Sequence, residues 1–137
     1  MIRITLGIIT NKQGKSVFLE HAFMTSTTTT KASQFRIGTG QTDLLDTATA
    51  LSNPIYFTGT DEYEDFTSGF PTIATSTIPE VTINCRVGAN QGTGNDINTI
   101  GIYNKDSTEK LLIQMNHTAE SKSATDEFVY VLRERIL

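Results

Sequence analysis

Four segments in the C-terminal half set the strongest limit on the fold: EVTINCRV (80–87), INTIGIYN (97–104), KLLIQMN (110–116) and DEFVYVLRERIL (126–137). Each alternates apolar with polar residues, and polar connections, GANQGTGND, KDSTE and HTAESKSAT, separate them. A period of two belongs to a strand with one buried face, because successive side chains point to opposite sides of the pleat. Several short strands at this spacing build a sandwich or small barrel. The expected fold is therefore all-β: an antiparallel β-sandwich, jelly-roll-like or immunoglobulin-like, with long loops and at most one short helix. Val81, Ile83, Ile100, Ile102, Leu111, Ile113, Phe128 and Tyr130 are among the residues expected to face inward.

The N-terminal half is less regular. Ile2, Ile4, Leu6 and Ile8 alternate with Arg3, Thr5 and Gly7 as in a strand, and NKQG follows as a turn. SVFLEHAF, with Val17, Leu19 and Ala22 loosely alternating and Phe18 and Phe23 as core candidates, is read as the second strand of a hairpin. TSTTTTKAS has no apolar anchor and belongs at the surface. In TDLLDTATALSN, Thr42 or Asp43 caps a short helix with Leu44, Leu45, Ala48 and Leu51 on one side. PIYFTG reads as a strand opened by Pro54, and DEYEDFTSGFPTIATSTIPE as an irregular excursion punctuated by Gly69, Pro71 and Pro79. At 137 residues, with no internal repeat and no linker, residues 1–137 form one domain.

Composition removes several function classes. A net charge of −4 opposes a role in neutralising phosphates, so nucleic acid is not an expected partner. The apolar runs fall far short of the roughly 20 residues that cross a bilayer, and the N-terminus lacks a signal-peptide pattern, so neither membrane nor secretory route is expected. The single cysteine, Cys85, is in phase with Val81, Ile83 and Val87 and reads as a buried thiol. With His21 and His117 as the only histidines, a metal site would have to borrow carboxylates, and none is expected. The run DEYED, 61–65, lacks the glycine-punctuated spacing of a calcium loop and reads as a solvated charged loop. FRIGTGQTDLLDTATAL offers a Gly-Thr-Gly turn where a dinucleotide fingerprint needs a third glycine, and GANQGTGND has no P-loop lysine. No Gly-x-Ser-x-Gly elbow is present. The sequence is read as non-enzymatic, with no cofactor.

The order of short pieces resembles the N-terminal module of phage tail-collar fibre proteins: Ile37–Gly40, Thr49–Leu51, Ile97–Tyr103, Lys105–Ser107 and Lys122–Ala124 are the counterparts. Thr99 stands where that module has an acidic residue before Ile-Gly, and no fibre shaft follows Leu137. The resemblance implies a small structural protein of a tailed bacteriophage, located in the virion and assembled in the host cytoplasm. A capsid decoration or cement protein is the first expectation. A tail, baseplate or collar subunit is the second, and a carbohydrate-binding adhesive module represents another class. The implied partners are other virion proteins, the major capsid protein or tail subunits, with the chain homo-oligomeric or lattice-bound. In this reading Gly38, Gly40 and Gly101 turn and pack the chain, while Tyr56, Tyr63, Phe66 and Phe70 are candidate protein contacts.

Overall fold

A computed structural model describes residues 2–5, 8–9, 12–41, 44, 47–75 and 78–135. The elements run β1 (Ile2–Thr5), β2 (Ile8–Ile9), α1 (Lys12–Phe23), β3 (Gln34–Thr39), β4 (Pro54–Ile55), β5 (Glu64–Asp65), β6 (Thr72–Ala74), β7 (Glu80–Val87), β8 (Asp96–Tyr103), β9 (Leu111–Ser121) and β10 (Phe128–Arg135). One sheet has the order β1-β10-β7-β6; the other runs β2-β9-β8-β3-β4, with β5 pairing on β3. The two sheets pack face to face. Ile83, Cys85, Val87, Phe128, Tyr130 and Leu132 of the first meet Phe35, Ile37, Ile97, Ile100, Ile102, Ile113 and Met115 of the second in one core. The fold is all-β and sandwich-like with one short helix, as the alternating segments require. Of the expected inward residues, all are buried except Val81, which is half-buried near the exposed edge strand β6.

Several expectations are corrected: residues 12–14 of the expected NKQG turn open α1, the strand expected over residues 2–8 contributes β1 and β2 to different sheets, and β9 runs on through residues 117–121, where a connection was expected. SVFLEHAF is not a strand: it lies in α1, and no hairpin forms with β1. Gly14, Val17 and His21, three and four residues apart, line one side of a helix, and Val17 is its buried anchor at 6% exposure. Phe18 and Phe23, expected in the core, are instead 44% and 77% exposed. Nor is the sandwich purely antiparallel. β1 pairs in parallel with β10, Ile2 opposite Val129 through Thr5 opposite Leu132, while the remaining strand pairs are antiparallel. The expected caps Thr42 and Asp43, together with Leu6 and Leu45, lie outside the described residues. Residues 47–51 carry no helix.

The six-stranded sheet is buried on both sides. Phe35 and Ile37 of β3, Ile100 and Ile102 of β8, and Ile113 and Met115 of β9 face the sandwich core. On the outer face, Tyr103 and Leu111 form a second cluster with Leu51, against which Ala48 and Tyr63 pack. The segment after β3 thus returns across the outside of its own sheet. That return packs on Gly38, Gly101 and Tyr103.

Candidate contact surfaces

The Gly-Thr-Gly stretch is committed to that return. Gly40 has φ = 62°, the left-handed region that glycine occupies freely, and turns the chain out of β3. Gly38 lies within β3, and space is what demands a glycine there: an added Cβ would sit 2.8 Å from the Asn53 carbonyl oxygen and 2.9 Å from Thr99 Cγ2. The amides are also occupied. Thr39 N–H donates to Asn53 O (3.0 Å) and Gln41 N–H to Asn98 Oδ1 (3.1 Å), while Asn98 Nδ2 donates back to Gln41 O (2.8 Å). A phosphate cradle needs convergent unpaired N–H groups, and these two are spent on holding the covering segment. Gly101 serves the same surface: its Cβ position lies 2.8 Å from Leu111 Cδ1 and 3.1 Å from Leu51 Cδ2. Leu51 N–H donates to the Tyr103 hydroxyl (3.0 Å), and burial pushes that phenol up to about 12.

The loop GANQGTGND is occupied in a similar way. Gln91 N–H bonds Gly88 O, Gly92 N–H bonds Phe57 O, Gly94 N–H bonds Lys122 O and Asn90 N–H bonds Ala124 O. Lys122 N–H in turn donates to Asn95 O at 3.0 Å. Lys122 is 2% exposed; its ammonium donates to Ser123 O and lies 5.9 Å from the centre of the Phe128 ring. Burial lowers its pKa, against the pull of Asp126 and Glu127.

The carboxylates of DEYED diverge. Asp61 accepts from the Thr58 hydroxyl, Glu62 pairs with Arg36, Glu64 accepts from Gln91 Nε2 and Asp65 pairs with Lys105. Four separate partners keep the oxygens from converging on a cation. Among the described residues there is no group of three histidine, cysteine or acidic side chains disposed to hold a metal.

The four aromatic residues expected as contacts do not share one surface. Tyr56 is 51% exposed. Tyr63 is half-buried, edge-on to Tyr103 with ring centres 5.2 Å apart. The Arg36 guanidinium lies 6.0 Å from the Tyr56 ring centre and 5.4 Å from that of Tyr63, and 3.6 Å from Glu62. Phe66 packs against the sandwich core and Phe70 is half-buried. Of the four, Tyr56 and Tyr63 share a patch with Arg36, at the rim of the covering segment.

The thiol is withdrawn from solvent, and both imidazoles are hydrogen-bonded. Cys85 is fully buried on β7, and desolvation raises its thiol pKa far above the ordinary value, so thiolate is negligible at neutral pH. His117 shares a 2.8 Å hydrogen bond between Nε2 and the buried Tyr130 hydroxyl; His21 Nε2 lies 2.8 Å from Thr29 O. The Thr-rich tract is tied down by two carboxylates. Glu20 accepts from the N–H groups of Thr28 and Thr29, and Asp106 accepts from Thr30 N–H (2.7 Å) and hydroxyl (2.8 Å).

One surface is invisible when 16–23 is read as a strand. α1 and the residue after it expose Phe18, Leu19, Phe23 and Met24 by 44%, 53%, 77% and 63%. A helical reading finds it, since Phe18 with Ala22 and Leu19 with Phe23 are i,i+4 pairs, the first beside Val17 and the second on the next flank of the helix. Beside the helix runs an apolar groove of about 360 Å³ between Gly14, Val17, Phe18 and Ala22 on one wall and Ala32, Leu112 and Ile113 on the other. No helix is long and apolar enough to cross a membrane among the described residues. Family models, curated proteins and solved structures give no match to the chain.

Proposed function

We propose that this chain is a non-enzymatic virion protein of a tailed bacteriophage, acting as a capsid decoration subunit that stabilises the particle through protein contacts. The observation that carries the reading is the packing of the pieces that resemble the tail-collar module. Ile37–Gly40 pairs with Ile97–Tyr103 across β3 and β8, Leu51 closes over Gly101 and Tyr103, and Lys122–Ala124 receives the 88–96 loop. Dispersed motifs thus build one structural unit, and their glycines shape its packing. The exposed apolar residues of α1 and the Tyr56–Arg36–Tyr63 patch supply sticky surface, and modest contacts repeated over a shell add to large stabilisation.

Co-sedimentation of the purified protein with expanded, undecorated shells and with isolated tails tests this. Saturable binding to shells alone is expected. Binding to tails alone moves the subunit to the tail or baseplate, and binding to neither removes the virion reading. Tyr56, exposed beside a guanidinium, favours a second reading as a carbohydrate-binding adhesive module. A glycan array on which Tyr56→Ala abolishes a wild-type signal would support that reading instead.

A further inference from the structure

We infer that the chain forms a two-fold dimer through α1, the apolar face of one helix packing on the same face of a second copy. The first argument is the sidedness of the helix. Val17 anchors α1 to the core with Phe18 beside it on the groove wall, while Leu19 and Phe23 are exposed on the next flank, and Met24 extends the exposed apolar strip past the last turn. A helix apolar on two flanks needs cover on both, and this protein covers one.

The second argument is shape. A projection and a recess adjoin on the same element: Phe23 stands out at 77% exposure, and the apolar groove of about 360 Å³ is walled by Phe18 and Ala22, the residues next to Leu19 and Phe23 in the chain. A patch that carries both a knob and a hole is self-complementary under a two-fold rotation, which seats each Phe23 in the other copy's groove. A partner with an unrelated surface would need only one of the two.

The third argument is area. At roughly 200 Å² for each large side chain, the exposed parts of Phe18, Leu19, Phe23 and Met24 offer about 450 Å² per copy. Pairing buries this from both sides. With the groove walls and the flanks of Lys15 and Lys31, the total approaches the ~1,200 Å² at which stable interfaces begin. Occupation of the helix face also leaves Tyr56, which lines neither α1 nor its groove, free for a different partner.

Sedimentation velocity of the full chain from about 1 to 100 μM, a range that brackets the affinity of an interface of this size, tests the inference. Wild type is expected to pass from monomer to dimer. Phe23→Asp is expected to raise the dissociation constant at least about a hundredfold, as for a central aromatic anchor, while Phe23→Leu keeps the dimer. Because Phe23 is exposed, both variants should retain the wild-type circular dichroism, and the wild-type melting temperature at concentrations low enough for wild type to be monomeric, which separates loss of pairing from loss of fold. A wild type that stays monomeric at about 100 μM, or a dimer equally tight in Phe23→Asp, overturns the inference. So does a monomer that floats with anionic phospholipid vesicles, which would assign the apolar face to lipid. The dimer is independent of the virion reading: a monomer that still decorates shells refutes only the former, and a dimer that binds no particle refutes only the latter.

Discussion

Replacing Gly38 by alanine probes the role assigned to the glycine pair. The new methyl would lie 2.8 Å from Asn53 O and 2.9 Å from Thr99 Cγ2, closer than any normal carbon contact. Asn53 O belongs to backbone and accepts the Thr39 N–H, and Gly38 is paired with Pro54 of β4, so relief requires the covering segment to move off the sheet. Overpacking of this kind costs about 1–3 kcal/mol, and loosening the Thr39–Asn53 hydrogen bond adds about 1 kcal/mol. The stiffer unfolded chain returns about 0.4–1 kcal/mol. A net loss of about 1–3 kcal/mol is expected, or a fall in melting temperature of roughly 4–12 °C for a domain of this length. The measurement is thermal and urea unfolding of Gly38→Ala, Thr99→Ser and the double variant. Serine keeps the hydroxyl that donates within 2.9 Å of Met115 O and Asn116 Oδ1, but deletes the methyl that the introduced Cβ would strike. The double variant should therefore be more stable than additivity predicts, by about 0.5–1 kcal/mol. A Gly38→Ala protein as stable as wild type, or strict additivity, would refute the claim that close approach dictates this glycine.

Three further expectations rest on separate residues. For Asp106, burial is the largest single influence and raises the pKa, but the Thr30 N–H and hydroxyl and the Asn104 amide together outweigh it and hold the carboxyl below its ordinary value; for Glu20, the Thr29 and Thr28 hydrogen bonds together do the same against burial. A depressed carboxyl contributes stability above its unfolded pKa and loses it as the pH falls through the folded one. The attachment of the Thr-rich tract should thus weaken on acidification below the ordinary carboxylate range, and proteolysis within 25–33 should rise there in wild type but be high at all pH values in the Glu20→Gln, Asp106→Asn double variant. Cys85 should resist thiol reagents in the native state and react at the rate of global unfolding; labelling within seconds would contradict its burial. Lys122→Met keeps the buried stem while discarding a desolvated charge and is expected to lie within about 1 kcal/mol of wild type, or above it, whereas Lys122→Ala loses the packing and about 1–2 kcal/mol. Urea titrations of the two variants decide this.

What could be read from the residues, and what could not, follows from how many physical solutions each pattern admits. β7 through β10 were legible because each is an apolar-rich segment of strand length bounded by polar turns; β7 and β10 alternate over eight residues and bury one side, while β8 and β9 are buried on both. SVFLEHAF is less regular: with apolar residues at 17, 18, 19, 22 and 23, it satisfies a strand as loosely as a helix. The choice fell to tertiary context, where Val17 alone found a place in the core and Phe18 and Phe23 did not. Phe35 and Phe18 are the same residue type in equally apolar neighbourhoods, yet one is fully buried and the other 44% exposed. Only the return of the chain around β3 and the seating of α1 on β9 distinguish them. The Gly-Thr-Gly stretch makes the same point in polar terms. Its glycines are compatible with a phosphate site or with a tight return, and the decisive property is where the neighbouring amides end: Thr39 on Asn53, fourteen residues on, and Gln41 on Asn98, fifty-seven residues away. Surfaces meant for other molecules are the hardest case of all, since their apolar residues obey the same local patterns as the core and are told apart only by what the rest of the fold leaves uncovered.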